Sequence, residues 1–516
     1  MARTKTRTKS GAGSKALAAT LNVVERAGNA LPHPFMLFVY LSILIAVVSA
    51  VAAWFGASVV HPGTGKQVVI HSILSGEGLT YVVTSALKNF VEFPPLPLVV
   101  VLMLGIGLAQ QVGLIEAVLR RALAGVKPRY VTLTVMLVGI FSHLASDAST
   151  LIVPPLAAIV FLKMGRHPLA GLAAGFAATG AAFTANFVIT STDVLLSGIT
   201  TAAAGIITPG TTVSPLANYF FMPASAIMLA VVGTIVTEKI IEPRLGTYAP
   251  DPDDDESPDA EPAPNGKALR NAGITAVLYV LAVAIITAVP GSPLRNPETG
   301  GLLKSPLLEG IVPILLMFFV STAIAYGVTA RTITSTSDIP ALMSKSVKEL
   351  SGFLVLIFVA AQAIAWFTWS NLGLLLAVHG AALLKSLGIG GILGLVGFSL
   401  LTAGLSLVIA SGSALWSLEA PTFVPMFMLQ GINPAYVQAA YRIADSSTNM
   451  MVPLSPYIAI LLGFIQRYDK KARLGTLFAL MLPYTAAFYA SWLLFFVVWT
   501  ALGIPIGPGE TFHIGH

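Results

Sequence analysis

Charged side chains stand inside long apolar runs of this sequence, where they are costly and usually functional. Asp193 lies in one such run, and Arg442 and Asp445 lie in another. Because residues three apart share a face of an α-helix, Arg442 and Asp445 can pair with each other. The planar guanidinium suits bidentate binding of carboxylate or sulfonyl oxygens, while the carboxylates suit a proton or a cation. A purely structural ion pair is the alternative interpretation.

Small polar residues accompany these charges. The segment 411–416 combines hydroxyls, a turn glycine and a tryptophan. Ser413 offers a hydroxyl to a bound molecule. Trp416 either stacks on an aromatic compound or simply packs or anchors the chain at the membrane interface. Asn186 and Asn449 stand beside threonines, so their oxygens either coordinate a hard cation such as Na⁺ or cap interrupted helices. The candidate Na⁺ ligands are Asn186, Asp193, Asp445 and Asn449.

The composition indicates the kind of secondary structure that carries these charged and polar residues. The chain has 516 residues, of which 55% are hydrophobic and only 10% are charged, whereas ordinary soluble domains have about 25% charged residues. Apolar runs of about 18 residues or more recur from Pro34 to Leu502, which predicts an all-α polytopic membrane protein. Because the chain has no cysteine, a disulfide framework and a thiolate-bound metal are excluded.

Basic residues predict the orientation in the membrane. The tail of residues 1–30 is polar and too basic for a cleaved signal peptide, so we expect it to be cytoplasmic. Lysines and arginines cluster again at 120–129 and 163–167, and these turns are also expected on the inside. Spans are expected near 34–55, 96–118, 215–236, 271–289, 307–325 and 350–375, with an amphipathic stretch at 68–90 lying across the interface.

Two apolar runs are too long for one straight span of about 20 residues. The run 130–162 carries a polar patch at 142–150, which predicts the tip of a re-entrant helical hairpin. Two full spans joined by a short turn are the alternative. The run 168–207 is interrupted at 184–186, which predicts a helix with an unwound middle.

The second half of the chain repeats the first at one constant offset in sequence number. Pro155 matches Pro421, and at the same offset the turn 165–168 matches the turn 431–434. Five crossings separate the two turns and only the first turn is basic, so the halves are expected to be inverted, as in secondary transporters. We expect a tail at 1–30, a first half at 31–248 with hairpin 1 at about 130–162, an acidic flexible cytoplasmic linker at 249–266, a second half at 267–508 with hairpin 2 at about 387–430, and a C-terminal tail at 509–516.

Three motifs are specific enough to indicate a family. They are RHPLAGLAA at 166–174, DVLLSGIT at 193–200 and QAAYRIADS at 438–446, and Ala361-Gln362 before Trp369-Ser370-Asn371 adds to them. With these motifs the sequence resembles the AbgT family of p-aminobenzoyl-glutamate transporters, from about residue 31 to residue 508.

The resemblance implies a bowl-shaped homodimer in the bacterial inner membrane, with a cytoplasmic N-terminus. It implies nine transmembrane helices and two re-entrant hairpins in each protomer. It also implies transport of p-aminobenzoyl-glutamate or export of sulfonamide antimetabolites, driven by Na⁺ or H⁺ with no other cofactor. The residues that match the family's site are Asp193, Ser413, Trp416, Pro434, Arg442 and Asp445, whereas Glu419 and the acidic linker are less typical.

The leading hypothesis is cation-coupled efflux, by antiport, of aromatic anionic folate-pathway compounds and sulfonamides. Uptake of aminobenzoyl-glutamate with Na⁺ or H⁺ is the closest alternative, because direction depends on the gradients. An ion channel and an intramembrane serine hydrolase, using Ser413 with His143 or His379, belong to other classes. The glycine that usually follows such a serine is missing, so no enzyme activity is expected. The basic residues are explained by membrane topology, so no nucleic-acid partner is expected.

Overall fold

The computed structural model describes residues 34–514 apart from 63, 125, 146–147, 249–264, 304, 410 and 453–456. The predicted N-terminal tail, almost all of the acidic linker and Asp147 lie outside the described residues. The described chain is predominantly helical, and one ribbon pairs strand β1 (Ser58–Val60) antiparallel with strand β2 (Gln67–Val69). This ribbon and the following helix occupy the stretch expected to be amphipathic.

The first half contains ten helices in the described residues, joined by short turns. Two of the turns are 3₁₀-helical, at Pro128–Tyr130 and Ser142–Ala145. The helices are α1 (Pro34–Trp54), α2 (Gly76–Val91), α3 (Pro95–Gln111), α4 (Leu114–Leu123), α5 (Val131–Phe141), α6 (Ala148–Lys163), α7 (Pro168–Gly180), α8 (Ser191–Ala204), α9 (Phe221–Val236) with a π-helical turn at Thr237–Ile241, and α10 (Glu242–Leu245).

The second half contains eleven helices in the described residues. A 3₁₀ turn at Asn449–Met451 ends the interrupted part of this half. The helices are α11 (Gly266–Ala288), α12 (Pro306–Glu309), α13 (Ile311–Ala330), α14 (Asp338–Glu349), α15 (Ser351–Trp369), α16 (Leu372–Ser386), α17 (Gly391–Ser406), α18 (Gly412–Met428), α19 (Pro434–Thr448), α20 (Tyr457–Gln466) and α21 (Leu474–Ala501).

The described helices confirm a multi-pass membrane protein. By length and composition, seven helices can cross a membrane, and up to nine can do so if each of two bent pairs is one span. The bent pairs are α4 with α5 and α16 with α17, and they turn by 119° and 114°. Pro34 begins α1 as expected, because a proline at the start of a helix loses no hydrogen bond.

Two of the expected spans are wrong in their bounds. The span expected at 96–118 ends at Gln111, because Gly113 takes the left-handed backbone conformation at φ 83° and starts α4 in a new direction. The span expected at 350–375 ends at Trp369, where Asn371 is left-handed at φ 62°. Both breaks depend on single residues inside apolar runs, so hydrophobicity alone does not reveal them.

The two turns that match between the halves fold in the same way. Gly165 and Gly431 are both left-handed, at φ 71° and φ 78°, and close the end of the preceding helix as glycines commonly do. The next helix then begins with a capping side chain followed by proline. His167 accepts from the backbone N–H of Leu169 at 3.2 Å, and Asn433 accepts from that of Ala435 at 2.9 Å. The match in backbone hydrogen bonds extends the sequence match to local geometry.

The interrupted helices lie at the centre of the packing. Helix α7 packs against α5 and α6, while α8 packs against α3 and α18. Helix α19 packs against α8, α17, α18 and α21, and every residue of α19 is buried. A continuous apolar core joins these elements. The charged residues of α8 and α19 are therefore held inside the protein rather than against lipid.

Candidate functional site

The site begins at the interruption between α7 and α8, as predicted. Helix α7 ends at Gly180 and α8 begins at Ser191, and the intervening residues are not helical. The Asp193 side chain restarts the helix, because its Oδ2 accepts from the backbone N–H of Thr190 at 2.7 Å and from the Thr190 hydroxyl at 2.8 Å. This capping arrangement satisfies donors that the break leaves free. It also leaves Oδ1 of Asp193 available for another partner.

That partner is Arg442, which reaches across from α19. Nη2 of Arg442 contacts Oδ1 of Asp193, and both side chains are almost fully buried. The guanidinium also donates to the carbonyl of Thr184 at 3.0 Å and to Oδ1 of Asn218 at 3.3 Å. A buried ion pair is tolerated only with such additional hydrogen bonds. The pair therefore ties the broken helix of the first half to α19 of the second half.

The pair that their spacing allows between Arg442 and Asp445 does not form, because Arg442 pairs with Asp193. Asp445 points instead toward the start of α18, where a Cβ atom on Gly412 would collide with its carboxylate. The Tyr441 hydroxyl donates to the carbonyl of Gly412 beside it. Three residues of helix separation allow a pair but do not require one, and Asp193 offers the guanidinium a buried carboxylate with ideal access. No arginine or lysine in the described ranges pairs with Asp445.

A chain of buried hydrogen bonds extends the site to residues that the sequence analysis missed. Asn218 accepts from Arg442 and also from Nε2 of Gln438 at 3.0 Å. Gln438 accepts from the Thr200 hydroxyl at 2.6 Å, and Thr200 accepts from the Trp416 indole at 3.1 Å. The only available signal was that Asn218, Thr200 and Gln438 are polar residues on apolar segments. Each hydrogen bond joins the first half of the chain to the second, so no local pattern links them.

Trp416 is part of the packed interior. It is 0% exposed, and its ring lies 4.5 Å from the Tyr441 ring, centroid to centroid, and 6.4 Å from that of Phe398. A tryptophan at the membrane interface would be partly exposed, so the anchoring alternative is wrong. In this conformation the indole supports α18 against α8 and α19.

Ser413 lies at the start of α18 and is half-buried. Its hydroxyl lies 3.3 Å from that of Ser411, so both hydroxyls stand at the N-terminal end of the helix. The histidines proposed for a hydrolase are elsewhere, because His143 contacts the carbonyl of Thr179 and His379 is exposed. Within the described residues the geometry brings no histidine to Ser413, and the hydrolase alternative has no structural support.

The candidate Na⁺ ligands divide into two groups. Asn186 and Asp193 line one cavity of about 10 Å³ together with Asn218, which is room for a single water. Asn186 is 4% exposed, and its Oδ1 is buried without a partner in the described part of the protein. Asp445 lies beside Gly412 at the start of α18, and Asn449 follows α19 in the 3₁₀ turn. Across the described ranges, no cluster of three histidine or acidic side chains forms a metal site.

One further contact and one proline fix the geometry around the interrupted helices. The hydroxyls of Thr184 and Ser446 lie 2.6 Å apart, so the first interruption is attached to α19. Pro434 is the first residue of α19 and is buried. It lies eight residues before Arg442, which corresponds to about 12 Å along a helix. Pro434 therefore sets the start and direction of α19 rather than touching the ion pair.

An apolar multi-helix fold with two interrupted helices and a buried ion pair between them is the architecture of a membrane transporter, not of an enzyme. The comparisons with known proteins agree. The chain belongs to the AbgT putative transporter family, whose sequence profile matches residues 19–514.

Three relatives show the likeness in detail. The p-aminobenzoyl-glutamate transport protein of Escherichia coli is 45% identical over 486 residues, which is 94% of this chain and 95% of that protein. The crystal structure of the YdaH transporter of Alcanivorax borkumensis has a TM-score of 0.88 at 39% identity, covering 92% of this chain and 100% of that one. The MtrF structure of Neisseria gonorrhoeae, described as illuminating a class of antimetabolite efflux pumps, has a TM-score of 0.90 at 40% identity, covering 95% and 100%.

Proposed function

We propose that this chain is a secondary active transporter of p-aminobenzoyl-glutamate-like compounds and sulfonamide antimetabolites, working as a cation-coupled efflux antiporter. The names of the Escherichia coli and Neisseria gonorrhoeae relatives support the two substrate classes. The observation that carries the proposal is the buried contact between Arg442 and Asp193. It places a guanidinium suited to carboxylate or sulfonyl oxygens between two interrupted helices.

The ion pair gives a physical reason for coupling. An anionic substrate that binds Arg442 competes with Asp193 for the same donors. Once released, the Asp193 carboxylate is a buried charge without a partner, which is strongly unfavourable. A proton or a Na⁺ ion on Asp193 removes that penalty, so substrate binding and cation binding depend on each other. Asp445 is the second candidate for the cation, with Asn186 and Asn449 contributing oxygens to a Na⁺ ion.

Ser413 and Trp416 complete the proposed substrate site. Both lie in the first turn and a half of α18, next to Tyr441 and Asp445 on α19. Movement of α18 away from α19 would expose the indole ring and the serine hydroxyl together. An aromatic substrate would then stack on Trp416 while its anionic group meets Arg442.

The proposed architecture has nine transmembrane spans and two re-entrant hairpins, formed by α5 with α6 and by α17 with α18. The matched turns at Gly165 and Gly431 support two halves of opposite orientation. We further propose a bowl-shaped homodimer in the bacterial inner membrane with the N-terminus in the cytoplasm. Cross-linking in membranes and the mass of the purified protein in detergent test the dimer.

Flux in proteoliposomes under separately imposed gradients tests the function. Vesicles loaded with labelled p-aminobenzoyl-glutamate or a sulfonamide receive an H⁺ gradient, a Na⁺ gradient or neither. Efflux that accelerates with one inward cation gradient supports antiport, whereas accumulation driven by that gradient supports coupled uptake. An Arg442→Lys variant keeps the charge but loses the planar fork, so we expect weaker substrate binding with an intact fold. Equal flux with and without every gradient contradicts coupled transport.

A further inference from the structure

A buried carboxyl on α18 stands outside the site described above. Glu419 is 3% exposed and lies seven residues after Gly412, the first residue of α18. Its Oε2 accepts from the hydroxyl of Thr402 on α17 at 2.8 Å, and Thr402 is fully buried. Its Oε1 is buried and has no hydrogen-bond partner among the described residues. A buried carboxyl with an open oxygen is unexpected in a merely structural role.

The other half of the protein shows that this packing does not require a carboxyl. At the offset that matches Pro155 with Pro421, Glu419 corresponds to Val153 on α6, and Thr402 corresponds to Met136 on α5. Val153 and Met136 are both 0% exposed, so they occupy equally buried positions. At these two positions the equivalent helices therefore carry buried apolar side chains. The carboxyl and the hydroxyl are a feature of the second half only.

The helices around Glu419 supply no cation. On α19 the nearest titratable groups are Asp445, which interacts electrostatically with Glu419, and Tyr441. Arg442, on the same helix, is held by Asp193.

The remaining neighbours are also without a basic partner. Helix α17 contributes Thr402, and residues 194–204 of α8 contain no charged side chain. On α16, His379 and Lys385 are exposed and turned away from the buried face. In the described residues an ionised Glu419 would therefore be a buried charge without a counter-ion, close to a second carboxylate. Such a group is stable only when it carries a proton.

We propose that Glu419 is a second proton-binding carboxyl of the transport pathway, working together with Asp445. This inference deepens the proposed function and rests on it. Helix α18 runs from Gly412, beside Asp445, toward the outer surface in the proposed topology, so Glu419 lies about 10 Å further out. A proton leaves the Glu419 carboxyl for water and then binds the Asp445 carboxylate. The Glu419 carboxylate then takes a proton from the outer aqueous phase and Asp445 releases its proton to the inner aqueous phase, so the pair returns to its starting protonation and one proton has moved inward.

Glu419→Gln is the direct test, because the amide keeps the shape and still accepts from Thr402. Glu510→Gln is the matched control, since Glu510 is another partly buried carboxyl that accepts a hydrogen bond, from Asn433 at 2.7 Å. The proteins are reconstituted with a pH-sensitive dye inside the vesicles and labelled p-aminobenzoyl-glutamate on both sides. Two quantities are measured: exchange of substrate at equal concentrations, and proton movement accompanying net flux.

We expect Glu419→Gln to retain substrate exchange and to lose substrate-coupled proton movement, while Glu510→Gln retains both. Proton movement per substrate equal to wild type in Glu419→Gln overturns the proposal. A wild-type protein that transports with Na⁺ and moves no proton also overturns it, although the proposed function then stands.

An infrared measurement tests the proposal even if the reconstituted vesicles transport no substrate. Infrared difference spectra of the wild type between acidic and alkaline pH should contain a protonated-carboxyl band that is absent from Glu419→Gln and present in Glu510→Gln. If neither the wild type nor the variants exchange substrate, the proposed function fails. The infrared band then still shows whether Glu419 binds a proton. If Glu419→Gln does not fold, the same band is sought in Glu419→Val, which copies Val153. An unchanged band in a folded variant contradicts the proposal.

Discussion

Replacing Asp193 by asparagine isolates the charge of the buried ion pair. The amide has nearly the same shape, and one of its atoms can still accept the two hydrogen bonds from Thr190. Arg442 keeps the carbonyl of Thr184 and the amide oxygen of Asn218 but loses its only carboxylate contact within the described residues. The guanidinium remains charged at any accessible pH, so it becomes a buried charge without a counter-ion.

The expected loss of stability follows from that geometry. Removing one partner of a buried ion pair costs about 3–5 kcal/mol. Arg442→Gln should cost less, because the remaining Asp193 carboxyl retains its two capping hydrogen bonds and can take up a proton. The double variant removes both charges, so its loss should be smaller than the sum of the single losses by about 1–3 kcal/mol.

Reversible unfolding in mixed micelles, by titration with an ionic detergent, measures these free energies. Asp338→Asn is a matched control, because Asp338 accepts hydrogen bonds from two backbone N–H groups and a threonine hydroxyl at a helix start. It is partly exposed and forms no ion pair with the described residues. This control separates loss of a cap from loss of the buried pair. Strictly additive single variants, or an Asp193→Asn loss no larger than that of Asp338→Asn, would refute the reasoning.

Four further outcomes are expected. Asn218→Ala removes the shared acceptor of one Gln438 and one Arg442 hydrogen bond, so it should cost about 1–3 kcal/mol in the same unfolding assay and slow flux in vesicles. Asp445→Ala should abolish transport without reducing the amount of protein in the membrane, as measured by flux and immunoblot. Backbone and hydroxyl hydrogen bonds lower the pKa of Asp338 to about 2. The stabilisation of α14 by the Asp338 carboxylate is thus fully present above about pH 4, the pKa of an aspartate in the unfolded chain, and is lost as the pH falls through 2. The hydrogen-exchange rates of α14 in Asp338→Asn and in the wild type should therefore converge at low pH. Deleting residues 251–261 should leave flux unchanged.

Much of the fold is predictable from the sequence, for physical reasons visible in particular residues. A membrane span needs a long apolar run, so α1, α11 and α13 are found within a few residues of their observed bounds. A polar residue in such a run is costly, so the interruption beside Asp193 is also found. Short secondary-structure elements are harder to predict from the sequence, because each depends on only a few residues. The ribbon of β1 and β2 and the amphipathic helix α14 are short, and neither contains a long apolar run.

The candidate site divides in the same way. Its charged members were found because a charge inside an apolar helix stands out in composition. Their partners were not found, because the helical spacing of Arg442 and Asp445 is compatible with a pair and the true partner is 249 residues away. Choosing between two possible carboxylates requires the packing of α8 against α19. The Asn218 and Gln438 side chains were missed for the same reason.

The carboxylates of Asp193 and Asp445 are held in different ways, and in the proposed mechanism this difference lets α19 serve both substrate and cation. Asp193 is bound to the Arg442 guanidinium, so in the proposed mechanism it changes state when a substrate anion competes for Arg442. Asp445 faces the backbone of Gly412 at the start of α18, so its surroundings change when α18 moves. In that mechanism substrate binding acts on Asp193, and separation of α18 from α19 acts on Asp445. Asp445 belongs to α19, and Asp193 contacts Arg442 of the same helix. A shift of α19 would therefore change the surroundings of both carboxylates together, as coupled transport requires.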